Sequence, residues 1–514
     1  MMNPSARRHN WAILALALSM ACSTPESEET ASGGDLAEAK APDSSERAKK
    51  PPTPRGLIVS TDDAAPGYVL YSPLSSGNTY LLDSQARAVH MWESDYAPHS
   101  LYLLEDGSLL RPGRNPDDQS FLVGGAMGLV QKFSWEGELL WEWKLSDETR
   151  ILHHDVEPLA NGNFLAIGWE VKSPEEARSR GRRADLIPEK GLWPDFLVEI
   201  EPLPPDDARI VWKWNVWDHL LQNHDPHLPN FGEPSEHPER LDINAGGPPL
   251  EIDEEQLAEL KALGYVPDDA EQEKQRSDFL HINAVDWNPE LDQIAMAVPE
   301  LGEIWIIARP KSTEESAGPK GDLLYRWGNP EMYGRGEPGD KRLFYPHDVQ
   351  WIPPGMEGAG NLTIFNNGNE RPDGKYSSIE EITSPLATDG SYTHAEGAAW
   401  GPAETVWTYA AGDRESFFAP FISGAHRLAN GNTFATSGPE GRLFEVTPQG
   451  ETVWNFGNPY SGSVKQRDGS DPWGGGGGLT LGVWRAAKLA PDYPGLGGRD
   501  LKPLDPQPPM EPPQ

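Results

Sequence analysis

The sequence predicts an all-β protein: a six-bladed β-propeller with short helical and loop insertions. Three observations carry this. A short aromatic strand motif occurs six times, and a second strand-turn-strand unit alternates with it. The composition is that of short strands and turns, with 52 Gly, 50 Pro and 19 Trp in 514 residues. Only 37% of residues are hydrophobic, but 9% aromatics does not fit a disordered chain.

Taken in order, the chain opens on Arg7 and Arg8, an apolar run from Trp11 to Leu18, and then Ser19-Met20-Ala21-Cys22. The run is too short to span a bilayer, and a charged start before an apolar stretch reads as an export signal. It resembles a bacterial lipoprotein signal. That implies lipidation of Cys22 and an exported protein, periplasmic or anchored at the outer membrane. An ordinary cleaved signal with an incidental Cys is the plainer alternative. Residues 1–22 are assigned to the signal and 23–55, which lack periodicity, to a disordered tether. Residues 56–497 are assigned to the propeller, and the Pro-rich tail 498–514 reads as loose as the tether.

The first repeat closes hairpins. Its copies are Ala88–Trp92, Leu139–Trp143, Ile210–Trp214, Leu323–Trp327, Thr405–Tyr409 and Thr452–Phe456. The second runs from a polar residue through an apolar strand to an Asn-Gly, Asp-Gly, Pro-Gly or Asn-Pro turn. It begins at His99, His154, His281, His347 and Ser423. Two alternating hairpins make a four-stranded blade. Inserts at 170–195 and 215–280 stretch the spacing, and the second contains a helix expected over 253–264. Gly137…Trp141 and Gly450…Trp454 look like the repeats of eight-bladed quinoproteins, but six repeats and no vicinal Cys pair favour packing tryptophans over a cofactor box.

In a propeller the first strand of each blade lines the central channel, so residues at its start converge on the axis. Four of five units begin with His at the same offset: His99, His154, His281 and His347. Ser423 occupies the fifth. His426, three residues further on, belongs to the other face of its strand and supports from behind. The neighbours Asp155 and Asp348 are expected to point away, as adjacent strand residues do. Converging imidazoles suit metal binding or nucleophilic and acid–base group transfer. The plain alternative is polar lining of a wet channel.

The single Cys excludes a disulfide framework or a Cys-based zinc cluster. With 43 Lys and Arg against 80 Asp and Glu, a net charge of −37 argues against nucleic acid or an anionic membrane surface as partner. Membrane contact is expected through the N-terminal lipid only.

From about 65 to 500 the chain resembles the bacterial exported arylsulfate sulfotransferases. The match rests on His153-His154-Asp155, on Phe279 to Asp286 with Leu291 to Ile294, on His347-Asp348-Val349-Gln350, on Leu362 to Gly368, and on Phe421 to Ala425. The resemblance implies sulfuryl transfer from an aryl sulfate to a phenol without any cofactor. It implies a covalent sulfohistidine on His347, with His154 and His281 holding the sulfuryl oxygens. Asn283, Asn367, Arg371, His99, Ser423 and His426 are the further substrate-binding candidates. No metal is implied, and a homodimer is left open. One position departs: Pro299 stands where the family carries a basic residue. Weak activity is therefore expected, unless Arg371, Arg114 or Arg414 supplies the charge. A catalytically silent propeller binding an anion or a protein, and a metal enzyme built on the His cluster, are the rival readings.

Overall fold

The computed structural model describes residues 54–510 apart from 116, 118–119, 122, 247–276, 463 and 465–480. Cys22, the signal, most of the tether and the helix expected over 253–264 lie outside the described residues.

Six antiparallel sheets form the six blades. Blade two is Tyr102–Leu103, Leu109–Arg114, Gly128–Phe133 and Leu139–Lys144; blade three is Arg150–Pro158, Phe164–Glu170, Asp195–Leu203 and Asp207–Asn215. Blade four is Ala284–Asn288, Gln293–Val298, Glu303–Ala308 and Leu323–Trp327; blade five is Pro346–Trp351, Leu362–Asn366, Ser378–Ile382 and Trp407–Tyr409. Each is the pair of hairpins that the repeats predict.

Closure uses both ends of the chain. Blade one takes Tyr68–Tyr71, Thr79–Leu82 and Ala88–Trp92 from the N-terminal side, and Ala487–Leu489 as its first strand. Blade six is Gly424–Arg427, Thr433–Ser437, Arg442–Val446 and Thr452–Gly457, with Gly56–Ser60 added as a fifth strand. The sixth strand-turn-strand unit is therefore split between the termini. Trp484 stands at its His position, eight residues before Asp492.

The repeated tryptophans explain the ring. In every blade one indole N–H from the last strand of the four-stranded core donates to a carbonyl of the next blade. Trp92 bonds Ser134 at 3.0 Å, Trp141 bonds Asp207 at 2.8 Å and Trp214 bonds Gly321 at 2.7 Å. Trp327 bonds Pro402 at 2.9 Å, Trp407 bonds Pro448 at 2.8 Å, and Trp454 closes the circle on Ser84 at 3.0 Å. A buried indole needs such an acceptor, so the motif fixes blade spacing as well as packing.

The first strands are stitched to each other by side chains. Asp155 accepts from Val285 N–H (3.2 Å), Asp286 from Trp351 N–H (2.7 Å) and Asp348 from Ala425 N–H (2.7 Å). His426 Nε2 accepts from Lys488 N–H at 3.2 Å, which joins blade six to blade one.

Over its described part the tail corrects the expectation of a loose segment. Leu501 and Leu504 pack on two of the hydrophobic clusters, and Leu504 N–H reaches Ala88 O at 2.8 Å. Gln507 takes Ala88 N–H at 2.8 Å and donates to Ala88 O at 3.0 Å. An outer strand leaves backbone groups unpaired, and the tail satisfies them.

Candidate active site

The starts of the first strands are irregular, and the irregularity builds the site. Among the described residues nine non-glycine positions have positive φ; six of them are His154, His281, Tyr345, Asp348, Ile422 and Ser423. Such backbone is strained for a side chain, and its clustering marks a functional centre. The register of the blade-three pair slips between His153 and Val156, and that of blade five between His347 and Gln350. These bulges break strand alternation. Asp155 and Asp348 lie within these bulges. Both bond one guanidinium, that of Arg485: Nη2 lies 2.8 Å from Asp155 Oδ1 and 2.7 Å from Tyr102 Oη, while Nη1 pairs with Asp348.

All four predicted histidines are buried. His154 Nε2 lies 3.0 Å from His281 Nε2, and the ring centroids are 4.3 Å apart. The Trp484 ring contacts both His99 (5.0 Å) and His154 (5.4 Å). The Tyr345 ring contacts both His281 (6.3 Å) and His347 (5.8 Å). Gly125, at φ +83°, makes room for His154: a Cβ there would sit 2.0 Å from the imidazole.

His347 is held in one tautomer. Asn367 donates its amide hydrogens to the carbonyls of Ala419 (2.7 Å) and Ile422 (3.0 Å), so its oxygen is the atom that meets His347 Nδ1 at 2.8 Å. Nδ1 must carry the hydrogen, and Nε2 carries the lone pair, which accepts from Ile422 N–H at 3.1 Å. Burial lowers His347 to about 3, so the imidazole is neutral at ordinary pH. Burial also depresses His99 well below the usual imidazole value, and lowers His426 to about 4. Asp286 moves the other way, to about 7, again chiefly through burial.

The remaining expected binding residues divide. Asn283 donates to Pro346 O at 3.1 Å, and its buried Oδ1 has no hydrogen-bond partner. Asn367 is a holder of His347, its oxygen and amide both engaged. Ser423 is turned into its own loop, bonding Phe421 O and Gly438 N–H. His426 serves the joint between blades six and one.

Two of the three arginines weighed as substitutes for a base at Pro299 are engaged outside the histidine group. Arg371 bonds Tyr376 and Ser378, pairs with Glu380 at 3.7 Å and lies over the Phe344 and Tyr376 rings. Arg414 pairs with Asp373 and is half exposed. Arg114 is nearer: it bonds the Val123 and Ala126 carbonyls (both 3.3 Å) beside Gly125, and its charge helps to depress His99. Arg485 was not singled out by the repeat pattern, because its unit is split between the chain ends. Asp195 and Asp278 were missed as well. His153 had one signal, its place directly before His154.

The arrangement offers a neutral imidazole whose Nε2 lone pair accepts from one backbone N–H, that of Ile422, beside a group of other buried imidazoles. Among the described residues, no group of three or more His, Cys, Asp or Glu is placed to hold a metal ion.

A family model described as Arylsulfotransferase (ASST) matches residues 77–455. Among solved structures, a protein of unknown function from Bacteroides caccae is 10% identical, with TM-score 0.41, covering 83% of this chain and 99% of that one. The Cps50 (Swd1) β-propeller domain of Myceliophteria thermophila is 10% identical, with TM-score 0.36, covering 80% and 91%. Apo AztD from Citrobacter koseri is 8% identical, with TM-score 0.32, covering 83% and 99%. No curated protein matches.

Proposed function

The chain belongs to the arylsulfotransferase family, and from that premise we propose that it moves a sulfuryl group from an aryl sulfate to a phenol through a covalent adduct on His347. The observation that carries this is the state of His347. Its Nδ1–H is fixed by Asn367, so the lone pair lies on Nε2, where Ile422 N–H meets it, and burial keeps the ring uncharged. A neutral imidazole nitrogen is a competent nucleophile toward sulfur. As the Nε2–S bond forms, the S–O bond to the aryl group breaks and its electron pair leaves on the aryl oxygen. A phenol oxygen then takes the sulfuryl group and Nε2 is restored. His154 and His281 are the candidates for holding the sulfuryl oxygens. Asn283 is the further binding candidate, and Asn367 supports the nucleophile from behind.

Turnover of para-nitrophenyl sulfate with and without added phenol tests the reading. Phenol should raise nitrophenol release, and double-reciprocal plots at several phenol concentrations should run parallel, as a two-step exchange requires. No turnover with either acceptor, with a small anion bound instead, would assign the protein to the silent propellers.

We also propose that Cys22 carries a lipid and tethers an exported protein. Cys22→Ser should then move the protein from the membrane fraction to the soluble one. An unchanged distribution defeats the proposal.

A further inference from the structure

His281 sits on a turn that two carboxyl groups hold. Its φ is +59°, and its backbone N–H donates to Asp278 Oδ1 at 3.1 Å. The N–H of the next residue, Ile282, donates to Asp195 Oδ1, also at 3.1 Å. Asp278 does more than cap the backbone, because its other oxygen, Oδ2, bonds the His281 ring at Nδ1. One carboxylate thus takes both the amide and the imidazole of the same residue.

The tautomers follow from that contact. A carboxylate accepts and does not donate, so the His281 hydrogen lies on Nδ1 and its lone pair on Nε2. His154 Nε2 lies 3.0 Å from that lone pair and therefore carries the His154 hydrogen. His154 Nδ1 is then an acceptor, and His153 Nδ1, 2.8 Å away, is its donor. Three hydrogens on three neutral rings satisfy all three contacts. Both His154 and His281 are candidates for holding sulfuryl oxygens, yet at Nε2 the first is a donor and the second an acceptor.

We propose that Asp278 is a positioning residue that makes His281 Nε2 the proton acceptor of the transfer and leaves His154 Nε2–H to hold the sulfuryl group; this rests on the function proposed above. A proton on His281 Nε2 creates an imidazolium, and a carboxylate at the far nitrogen steadies it, as in catalytic triads. His154 meets two imidazoles instead, and burial with those neighbours opposes a charge on it. His347 is no competitor for the proton, since burial lowers it and a charge on His281 lowers it further. The Tyr345 ring contacts both His281 and His347, so the acceptor and the nucleophile border one side chain.

The proton balance closes over both half-reactions. A sulfuryl oxygen on His347 takes the His154 Nε2–H, which frees the His281 lone pair for the acceptor phenol. The phenol oxygen bonds sulfur, the N–S bond breaks, and its electron pair returns to His347 Nε2. The phenol proton passes to His281 Nε2. In the next turnover His347 Nε2 attacks sulfur, the S–O bond breaks, and the departing aryl oxygen takes that proton. His281 is neutral again, and one proton has moved from acceptor to leaving group.

Asp278→Asn tests this with para-nitrophenyl sulfate as donor. Asn can still accept the His281 N–H, but its NH₂ faces Nδ1 and no charge balances an imidazolium. Single-turnover release of nitrophenol, which departs as an anion, should stay within about threefold of wild type. Steady-state transfer to phenol should fall on the order of 10²-fold in kcat, because the phenol proton has lost its taker. The variant should therefore give a nitrophenol burst, with the His347 adduct accumulating. With pentafluorophenol, ionised at about pH 8, the acceptor needs no base and the loss should stay within about threefold. Equal losses in the burst and with both acceptors would overturn the proposal and mark a structural role. Nitrogen-15 NMR of the ligand-free wild type reads the tautomers directly, even where the variant fails to fold. His281 should carry a hydrogen on Nδ1, and a bare Nδ1 overturns the assignment. An inactive wild type with Nδ1 protonated would keep the assignment of hydrogens and defeat the function; an active one with Nδ1 bare would defeat this role alone.

Discussion

His347→Ala loses essentially all sulfuryl transfer, on the order of 10³-fold or more in kcat/KM, while the fold stays intact. In the proposed mechanism the side chain is the nucleophile, so its removal deletes the pathway; removal of a binding group would only weaken a step. Protein quenched during turnover of an aryl sulfate should carry one added SO₃ on the peptide containing His347, and the variant should carry none. Asn367→Ala is the companion. It frees Nδ1 from its acceptor and lets the hydrogen move to Nε2, so the reactive lone pair is lost from part of the population. A smaller loss is expected there, with the adduct still on His347. Persistent turnover in His347→Ala, or an adduct on another residue, would falsify the assignment.

Arg485→Met is the substitution with the largest expected effect on stability. The guanidinium pairs with Asp155 and Asp348, two carboxylates almost wholly removed from water. Replacing it leaves both buried without a cation, a change that costs about 3–5 kcal/mol. The sign with pH follows from linkage. An unpaired buried carboxyl has a folded-state pKa raised above its unfolded value near 4. The native state then holds its proton longer than the unfolded state does. The variant is accordingly least impaired in mild acid and loses stability as pH rises through the raised pKa. Melting temperatures of variant and wild type at about pH 5 and about pH 8 check this, and the deficit should widen at the higher pH. Arg485→Lys keeps the charge but not the forked geometry, so it should fall between. A pH-independent deficit, or none, would mean that the carboxylates find other partners.

Several features of the site were legible in the sequence because they repeat. His154, His281 and His347 announced themselves by one shared offset before a turn, and the structure brings them together with His99. Arg485, the partner that Asp155 and Asp348 share, was not legible beside them. The bulges there, with positive φ at His154 and Asp348, were not legible either, because nothing in the identities His154-Asp155 or His347-Asp348 demands one. Asn367 was expected to bind substrate, and the structure gives it to His347; an amide's partner is a matter of distance. Arg371 lay close in sequence to the site residues, but Glu380 and two aromatic rings hold it elsewhere.

The sequence alone determined the blade count, the hairpin unit and the residue type that heads each first strand. These depend on alternation, turn residues and indole spacing, which are written within ten or so residues and recur. Only the tertiary structure decided the rest. It closed blade one from strands hundreds of residues apart, and so brought Arg485 between Asp155 and Asp348. It also brought His153, His154 and His281 into ring-nitrogen contact, in a chain that ends on Asp278. Charge state in a buried cluster is a property of contacts and solvation, and a linear sequence specifies neither until the ring has closed.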